Sequence, residues 1–350
     1  MTTIAFIGRK QNSSSWHKRK FISDNAIEVP RVKEIEGLAQ SNLIPIQDIS
    51  QADIVYIRLN PERANKKHLK NILAAEKKIK PNALVLNSVS HFTNYASKVN
   101  TFSLWAKSNI DCPAFQVWSP WLSKNKQIKS VKELIKQHNG LYLRTHNEDS
   151  GKGIVFLPPS ATTNEITKAI LTLRLRALSN KVNQSQILAV APVDNKDASG
   201  IYHVYRAHIA CNKILGGYAL VGTQKVIHAS DQRIAYWEAF CDYNAKLQNI
   251  LSNPIYHNQI LQGFTTLKAN IGAIEFFEVG GKLIFLEMNP QWGGTHRYGD
   301  TAFMSKLRQN INEPSLSHVK DWLEPDKYYC NLYNHLATAT VSNKNEDCNA

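Results

Sequence analysis

Apolar and polar positions along this chain follow two rhythms. Thr3 to Ile7 is a mostly apolar run closed by Gly8, and Ile54 to Leu59, interrupted at Arg58, is a second, stopped by Asn60-Pro61. Runs of that length with such stops predict buried strands. Between 64 and 80, Leu69, Ile72, Leu73 and Ile79 fall at helical spacing, and Pro81 ends the pattern before a strand at Ala83 to Leu86. Strands alternating with helices predict a small parallel α/β domain over residues 1–95.

Further along, the pattern predicts a short helix from Ser97 to Ser108, a turn at Asp111-Cys112-Pro113, a strand at 114–118 and a helix at 129–138. Strands at Leu141–Arg144 and Ile154–Leu157 flank a polar loop containing Gly151-Lys152-Gly153. A helix follows at Glu165 to Leu178, then strand-like runs at Gln186–Val193 and Tyr202–Cys211, a helical region at 233–251, and a hairpin of 271–279 and 283–289. No internal repeat or low-complexity tract appears, and Ser342 to Ala350 reads as a frayed polar end.

Composition sharpens this outline. The 350 residues are 43% hydrophobic and 20% charged, which excludes a disordered or collagen-like chain and is enough for two or three cores. The net charge of +14 is uneven: residues 1–200 hold 29 basic and 15 acidic side chains, and residues 201–350 hold 13 of each. The whole basic excess therefore belongs to the first 200 residues, which suits either a nucleic-acid surface or the side of an enzyme that receives a polyanion such as a nucleotide. Part of it, Arg9-Lys10 with Lys18-Arg19-Lys20, lies in a Ser-rich loop after the first strand, where open α/β sheets place ligands. Lys66-Lys67 and Lys77-Lys78 read as the solvated face of a helix. Five widely spaced cysteines, with no C-x-x-C pair, read as reduced thiols in a cytoplasmic protein. No signal peptide or membrane span is predicted.

The most informative stretch is the hairpin Ile271-Gly-Ala-Ile-Glu275-Phe-Phe-Glu-Val-Gly-Gly-Lys-Leu-Ile-Phe-Leu-Glu287-Met-Asn289-Pro290. Each apolar strand carries an acid inside its hydrophobic run. A two-residue turn at Gly280-Gly281 would set Glu275 opposite Leu286 and turn Glu287 away. A three-residue loop would set Glu275 opposite Glu287, with Asn289 on the same face, and leave Ile274, Phe276, Ile284, Leu286 and Met288 on the core face. Facing carboxylates on an apolar sheet call for a cation between them, and Glu, Glu and an Asn carbonyl form an all-oxygen set suited to Mg²⁺. The competing reading is a hairpin whose acids reach solvent or pair with Lys and Arg.

These residues resemble the metal-binding strands of the ATP-grasp ligases, whose Glu-x-Asn-Pro end carries two magnesium ligands and a preceding acid a third. The resemblance extends over residues 85–300. Lys98, opening a helix, resembles the family's first nucleotide-binding lysine, and residues 141–157, with Ser150, Gly151, Lys152 and Gly153, resemble its phosphate loop. The run with Ala189, Val190 and Ala191 resembles its adenine hinge, and Arg206 stands where a basic residue meets phosphate or acyl phosphate. Three positions depart from the pattern. Arg144 replaces the second lysine, giving a forked cation; Gln291 follows Asn-Pro where Arg is usual, leaving Arg297 or His296 as substitutes; and the hinge lacks its acid, leaving Asp194 or Asp197 for the ribose.

The resemblance implies an α/β chain, α+β in the grasp region: an N-terminal parallel α/β domain (1–95), a first ATP-grasp lobe with the phosphate loop (96–185), a second lobe with the metal hairpin (186–325) and a C-terminal tail (326–350). It implies an ADP-forming carboxylate–amine ligase that makes an amide or peptide bond through an acyl phosphate. Arg206 and Arg297 would serve the reaction, while Lys98, Arg144, Ser150, Gly151, Lys152, Gly153, Ala189, Val190, Ala191 and Asp194 would hold ATP. Glu275, Glu287 and Asn289 would hold magnesium, as two ions, with Mn²⁺ as a substitute. The expected partners are small-molecule or peptide substrates, one acidic, with a homo-oligomer left open and nucleic acid and membrane set aside. The alternatives are a small-molecule kinase on the same fold, a silent ATP-binding module, and a basic nucleic-acid-binding protein without catalysis.

Overall fold

The first strands are apolar on both faces because both faces are covered. In the computed structural model, which describes residues 1–7, 32–59, 66–118, 123–146, 153–179, 187–290 and 299–346, β1 (Thr2–Ile7), β2 (Leu43–Pro45), β3 (Ile54–Ile57) and β4 (Leu84–Leu86) form a parallel sheet in the order β2-β1-β3-β4. The connecting helices are α1 (Val32–Ala39) and α2 (Lys66–Glu76). Ala5, Ile7, Val55 and Ile57 enter the main core, while Ile4, Phe6, Ile54 and Tyr56 enter a second one.

That second core corrects the expectation of a C-terminal tail. Residues 325–346 form a 22-residue helix, and its Tyr328, Tyr329, Leu332, Tyr333 and Leu336 pack with Ile4, Phe6 and Leu38 of the N-terminal domain. The Tyr333 hydroxyl donates to Glu34 Oε1 at 2.6 Å, and Glu34 also pairs with Arg58, all three side chains being buried. The polar end of the helix hid this apolar face from the sequence pattern.

The remaining chain builds two antiparallel sheets. Helices α3 (Phe92–Ala96) and α4 (Lys98–Lys107) lead to the first, formed by β5 (Phe115–Trp118), β6 (Leu141–Thr145), β7 (Ile154–Leu157) and β8 (Ile187–Val190) in the order β5-β8-β6-β7. Helices α5 (Lys124–His138) and α6 (Thr163–Ser179) cover one face of it, so Leu141 and Leu143 are buried against Val131, Ile135 and Ile166. Arg144 alternates to the other face.

The second sheet contains β9 (Tyr202–Ala210), β10 (Lys213–Gly222), β11 (Ile271–Val279) and β12 (Lys282–Asn289) in the order β10-β9-β11-β12. Helices α7 (Trp237–Ser252) and α8 (Pro254–Thr265) back it, the latter opened by Asn253, whose side chain accepts from Ile255 N at 2.9 Å, and by Pro254 in its first turn. Helix α9 (Thr301–Asn310) and the C-terminal helix α10 (Pro325–Glu346) complete the chain. Trp105 of α4 is fully buried, packs at a tilt against Phe285 of β12 and donates to Gly263 O of α8 at 2.7 Å, fixing α4 to the second sheet and the helix that backs it.

The α/β class, the N-terminal parallel sheet and the two antiparallel sheets agree with the sequence-based expectation. Strand β10 and helices α1, α8 and α9 were not foreseen. No described helix is long and apolar enough to cross a membrane, and Cys112, Cys211, Cys241 and Cys330 are free.

If α10 is part of the N-terminal core, Tyr333→Phe leaves a buried carboxylate short of a donor. Urea unfolding is expected to show a loss of about 1–3 kcal/mol; an unchanged midpoint would contradict the assignment.

Candidate active-site cleft

The hairpin pairs its acids, by a different device from the one the loop-length argument favoured. Val279 pairs with Lys282, so the turn is the two-residue Gly280-Gly281, with φ of 59° and 78°. Both glycines occupy the left-handed region that tight hairpin turns need. Alone, this turn would set Glu275 against Leu286. A bulge intervenes: Phe276 pairs with Phe285, the ladder shifts, and Glu275 pairs with Glu287. Leu286 is the extra residue, and it lines the same cleft as Glu287. The core face changes accordingly. Ile274, Phe276 and Met288 are buried as expected, but Leu283 and Phe285 replace Ile284 and Leu286.

The pairing continues across the sheet. Glu275 also faces Arg206 of β9, and Arg206 faces Tyr218 of β10, giving one row, Tyr218–Arg206–Glu275–Glu287, over all four strands. Arg206 Nη2 lies 3.3 Å from Glu275 Oε1, and its Nη1 donates to the Tyr218 hydroxyl at 3.0 Å. Gly217 lets β9 and β10 approach at this point, since a Cβ there would meet Arg206 O at 2.2 Å. Asn289 Nδ2 donates to Glu275 Oε1 at 3.3 Å, and Lys98 Nζ of α4 lies 3.1 Å from Glu287 Oε2.

The two acids differ in electrostatic setting. Burial raises the Glu275 pKa, opposed by Arg206 and reinforced by Glu287, and the net direction is upward. Burial also disfavours charge on Glu287, but Lys98 and Arg144 outweigh it and hold its pKa below the ordinary value. The side chains are 27% and 18% exposed, so a cation from the cleft can reach both. His146, whose carbonyl accepts the Lys98 N–H at 2.7 Å, is pushed down to about 4 by burial and by the Lys98 charge.

The row lines a cleft of about 710 Å³ between the two antiparallel sheets. Its lining combines charged and polar groups, among them Arg144, Arg206, Glu275, Glu287 and Asn289, with apolar ones, among them Phe102, Pro113, Val190, Ala191, Val193 and Leu220. A ligand with an anionic part and an apolar part fits such a lining.

Several predicted residues stand elsewhere. Ala189 points into the core under α5 and α6 rather than the cleft. Asp194 is exposed and does not line the cleft. Asp197 accepts from the Ser199 and Ile201 N–H groups and from the Tyr243 hydroxyl, closing its own turn. Gly153, at φ 64°, accepts from Thr145 N at 3.0 Å and closes the base of its loop. Ser150, Gly151, Lys152, Gln291, His296, Arg297 and the basic positions 9–20 lie outside the described residues.

The sequence reading missed three lining groups. Asn195 is buried, lines the cleft and donates to His203 O at 2.6 Å. Tyr218 holds Arg206, and its strand went unread because Gly216-Gly217 looks like a turn. Lys225, after β10, places Nζ 3.4 Å from the Phe156 ring centroid and so reaches across to the first sheet. Among the described residues no three His, Cys, Asp or Glu side chains cluster, so the oxygen set is two carboxylates and one amide.

No protein-family model and no curated protein matches the chain. The solved structures it is similar to include ligases, synthetases and the biotin carboxylase domain of a carboxylase. They include the D-alanine–D-alanine ligase from Bacillus anthracis, at 11% identity and TM-score 0.48, covering 94% of this chain and 99% of that one. A RimK domain protein ATP-grasp from Sphaerobacter thermophilus DSM 20745 gives 12% and 0.48 over 92% and 99%. The D-alanyl-alanine synthetase A from Vibrio cholerae gives 12% and 0.47 over 93% and 98%. With TM-scores below 0.5, these likenesses transfer no residue roles to this chain.

Because Lys98 lowers the Glu287 pKa, the stability it lends is present above the ordinary value of 4.5 and is lost as pH falls through the lowered one. Lys98→Met is therefore expected to cost about 1–3 kcal/mol at neutral pH and much less in acid, read by urea unfolding at the two conditions. An equal loss at both would contradict the pairing.

Proposed function

We propose that this protein is an ATP-dependent ligase of the ATP-grasp kind, which activates a substrate carboxylate as an acyl phosphate and joins it to an amine. The observation that supports this best is the cross-strand row of Arg206, Glu275 and Glu287, with Asn289 and Lys98 beside it, lining a cleft that also has apolar walls. Val190, Ala191 and Val193 would receive the adenine, and Lys98, Arg144 and Arg206 the phosphates.

The donor set fits the metal that the resemblance implies. Glu275, Glu287 and the Asn289 carbonyl are hard oxygen ligands on one sheet face, and the two carboxylates repel unless a cation is shared. These three residues would hold Mg²⁺, as one or two ions, with Mn²⁺ able to replace it. Magnesium would neutralise charge on the phosphates.

In the first step a substrate carboxylate oxygen attacks the γ-phosphorus, the bond to the β–γ bridging oxygen breaks, and ADP leaves. In the second, an amine nitrogen attacks the acyl carbon, its proton is lost, and the carbon–oxygen bond to phosphate breaks to leave the amide. Arg206, held on both sides by Tyr218 and Glu275, is fixed before substrate arrives, so charge developing on the transferred group meets a donor that need not reorganise. No side-chain nucleophile is required. The charge excess of residues 1–200 favours an acidic second substrate.

Hydroxylamine added during turnover is expected to trap the acyl phosphate as a hydroxamate; ADP release without hydroxamate would favour transfer to a hydroxyl instead. Glu287→Ala and Asn289→Ala are each expected to abolish magnesium-dependent ADP release while circular dichroism stays unchanged. Full turnover in either variant would remove the assigned metal ligands.

A further inference from the structure

The strand that ends in Asn289 is at the edge of its sheet, with a strand neighbour on one side only, and Asn289 is the last residue of its ladder with β11. Strand ends with one neighbour fray most readily. What continues the support beyond Asn289 is supplied by the N-terminal domain. Asn87, directly after β4, holds a left-handed backbone with φ of 56° and is 2% exposed. Its Nδ2 donates to Ile271 O at 2.8 Å, at the start of β11, and to Pro290 O at 3.3 Å, at the end of β12. Its N–H donates to Asn270 Oδ1 at 2.7 Å, and its Oδ1 accepts from Asn270 N at 3.3 Å and Ile271 N at 3.4 Å. Asn270 returns a bond to Val85 O of β4 at 2.8 Å, and the Tyr56 hydroxyl of β3 reaches Pro290 O at 3.5 Å.

We infer that Asn87 is a positioning residue for the metal-binding strand. It clamps the backbone on both sides of the hairpin's open end, so that the N-terminal domain, through one buried amide, sets where Asn289 stands beside Glu275 and Glu287. The inference rests on the proposed metal site. One amide serves two carbonyls from the two strands, so its loss weakens the hold on both together and leaves Pro290 O with the longer contact from the Tyr56 hydroxyl at 3.5 Å. Residues that orient a metal ligand in this way commonly change metal affinity by 10-fold or more.

The test is a titration of the nucleotide-free protein with Mn²⁺, followed by the electron paramagnetic resonance signal of the unbound ion. Asn87→Gly removes the amide while keeping a backbone suited to positive φ. Asn94→Ala is the control, because Asn94 Nδ2 also crosses to a backbone carbonyl of the second lobe, that of Leu267 at 3.2 Å, far along the chain from Pro290. Asn87→Gly is expected to weaken Mn²⁺ binding about 10-fold with an unchanged circular dichroism spectrum, and Asn94→Ala to leave it within about twofold. Wild-type affinity in Asn87→Gly, or an equal loss in Asn94→Ala, overturns the inference while Asn289→Ala still weakens binding. No Mn²⁺ binding by the wild-type protein overturns the metal site, and the inference with it.

Discussion

Two carboxylates held opposite each other on a sheltered sheet face are the constraint around which this molecule is arranged. Like charges in a cross-strand pair repel, and an apolar sheet offers little solvent to screen them. The surrounding structure answers that cost with cations from separate elements: Arg206 from the neighbouring strand beside Glu275, Lys98 from the start of α4 beside Glu287, and Arg144 from the facing sheet acting on both. Their effect is unequal, and Glu275 is left with its pKa raised while Glu287 is held charged. A buried charge group arranged in this way rarely improves stability over an apolar core. Its position at the floor of a cleft is what makes a binding role the better explanation.

The geometry depends on two backbone features more than on side chains. The bulge at Leu286 shifts one register and brings Glu287 round to meet Glu275; without it, the tight Gly280-Gly281 turn would send the second acid into the core. Gly217 then allows β10 to lie close against β9, so that Tyr218 comes level with Arg206. A row of polar groups thus crosses four strands on one face, while on the other Phe276, Phe285 and Ile274 pack under α7 and α8.

The acids of the hairpin and their partnership with Asn289 were legible in the sequence, because charged residues inside apolar strands stand out. The device that pairs them was not. Nothing local marks Leu286 as the extra residue; Phe285 is set by contacts from elsewhere, its N–H bonded to Asp111 O at 2.9 Å and its ring against Trp105. The C-terminal helix was missed for a similar reason: its apolar face reads only against a sheet formed 300 residues earlier. Asn195 and Lys225 carry no periodic signal, and the cleft that they line exists only once two sheets are brought together. Alternation along β8 decides which of its residues face the cleft, and it excludes Ala189.

The central claim is that this cleft binds a nucleotide through a metal shared by Glu275 and Glu287. Calorimetric titration with a non-hydrolysable ATP analogue, in magnesium and then in excess chelator, tests it most directly, with a Glu275→Gln, Glu287→Gln double variant alongside. The account predicts binding that magnesium strengthens strongly in the wild-type protein and no longer strengthens in the double variant. Binding that is equally strong with and without magnesium in the wild-type protein would contradict it.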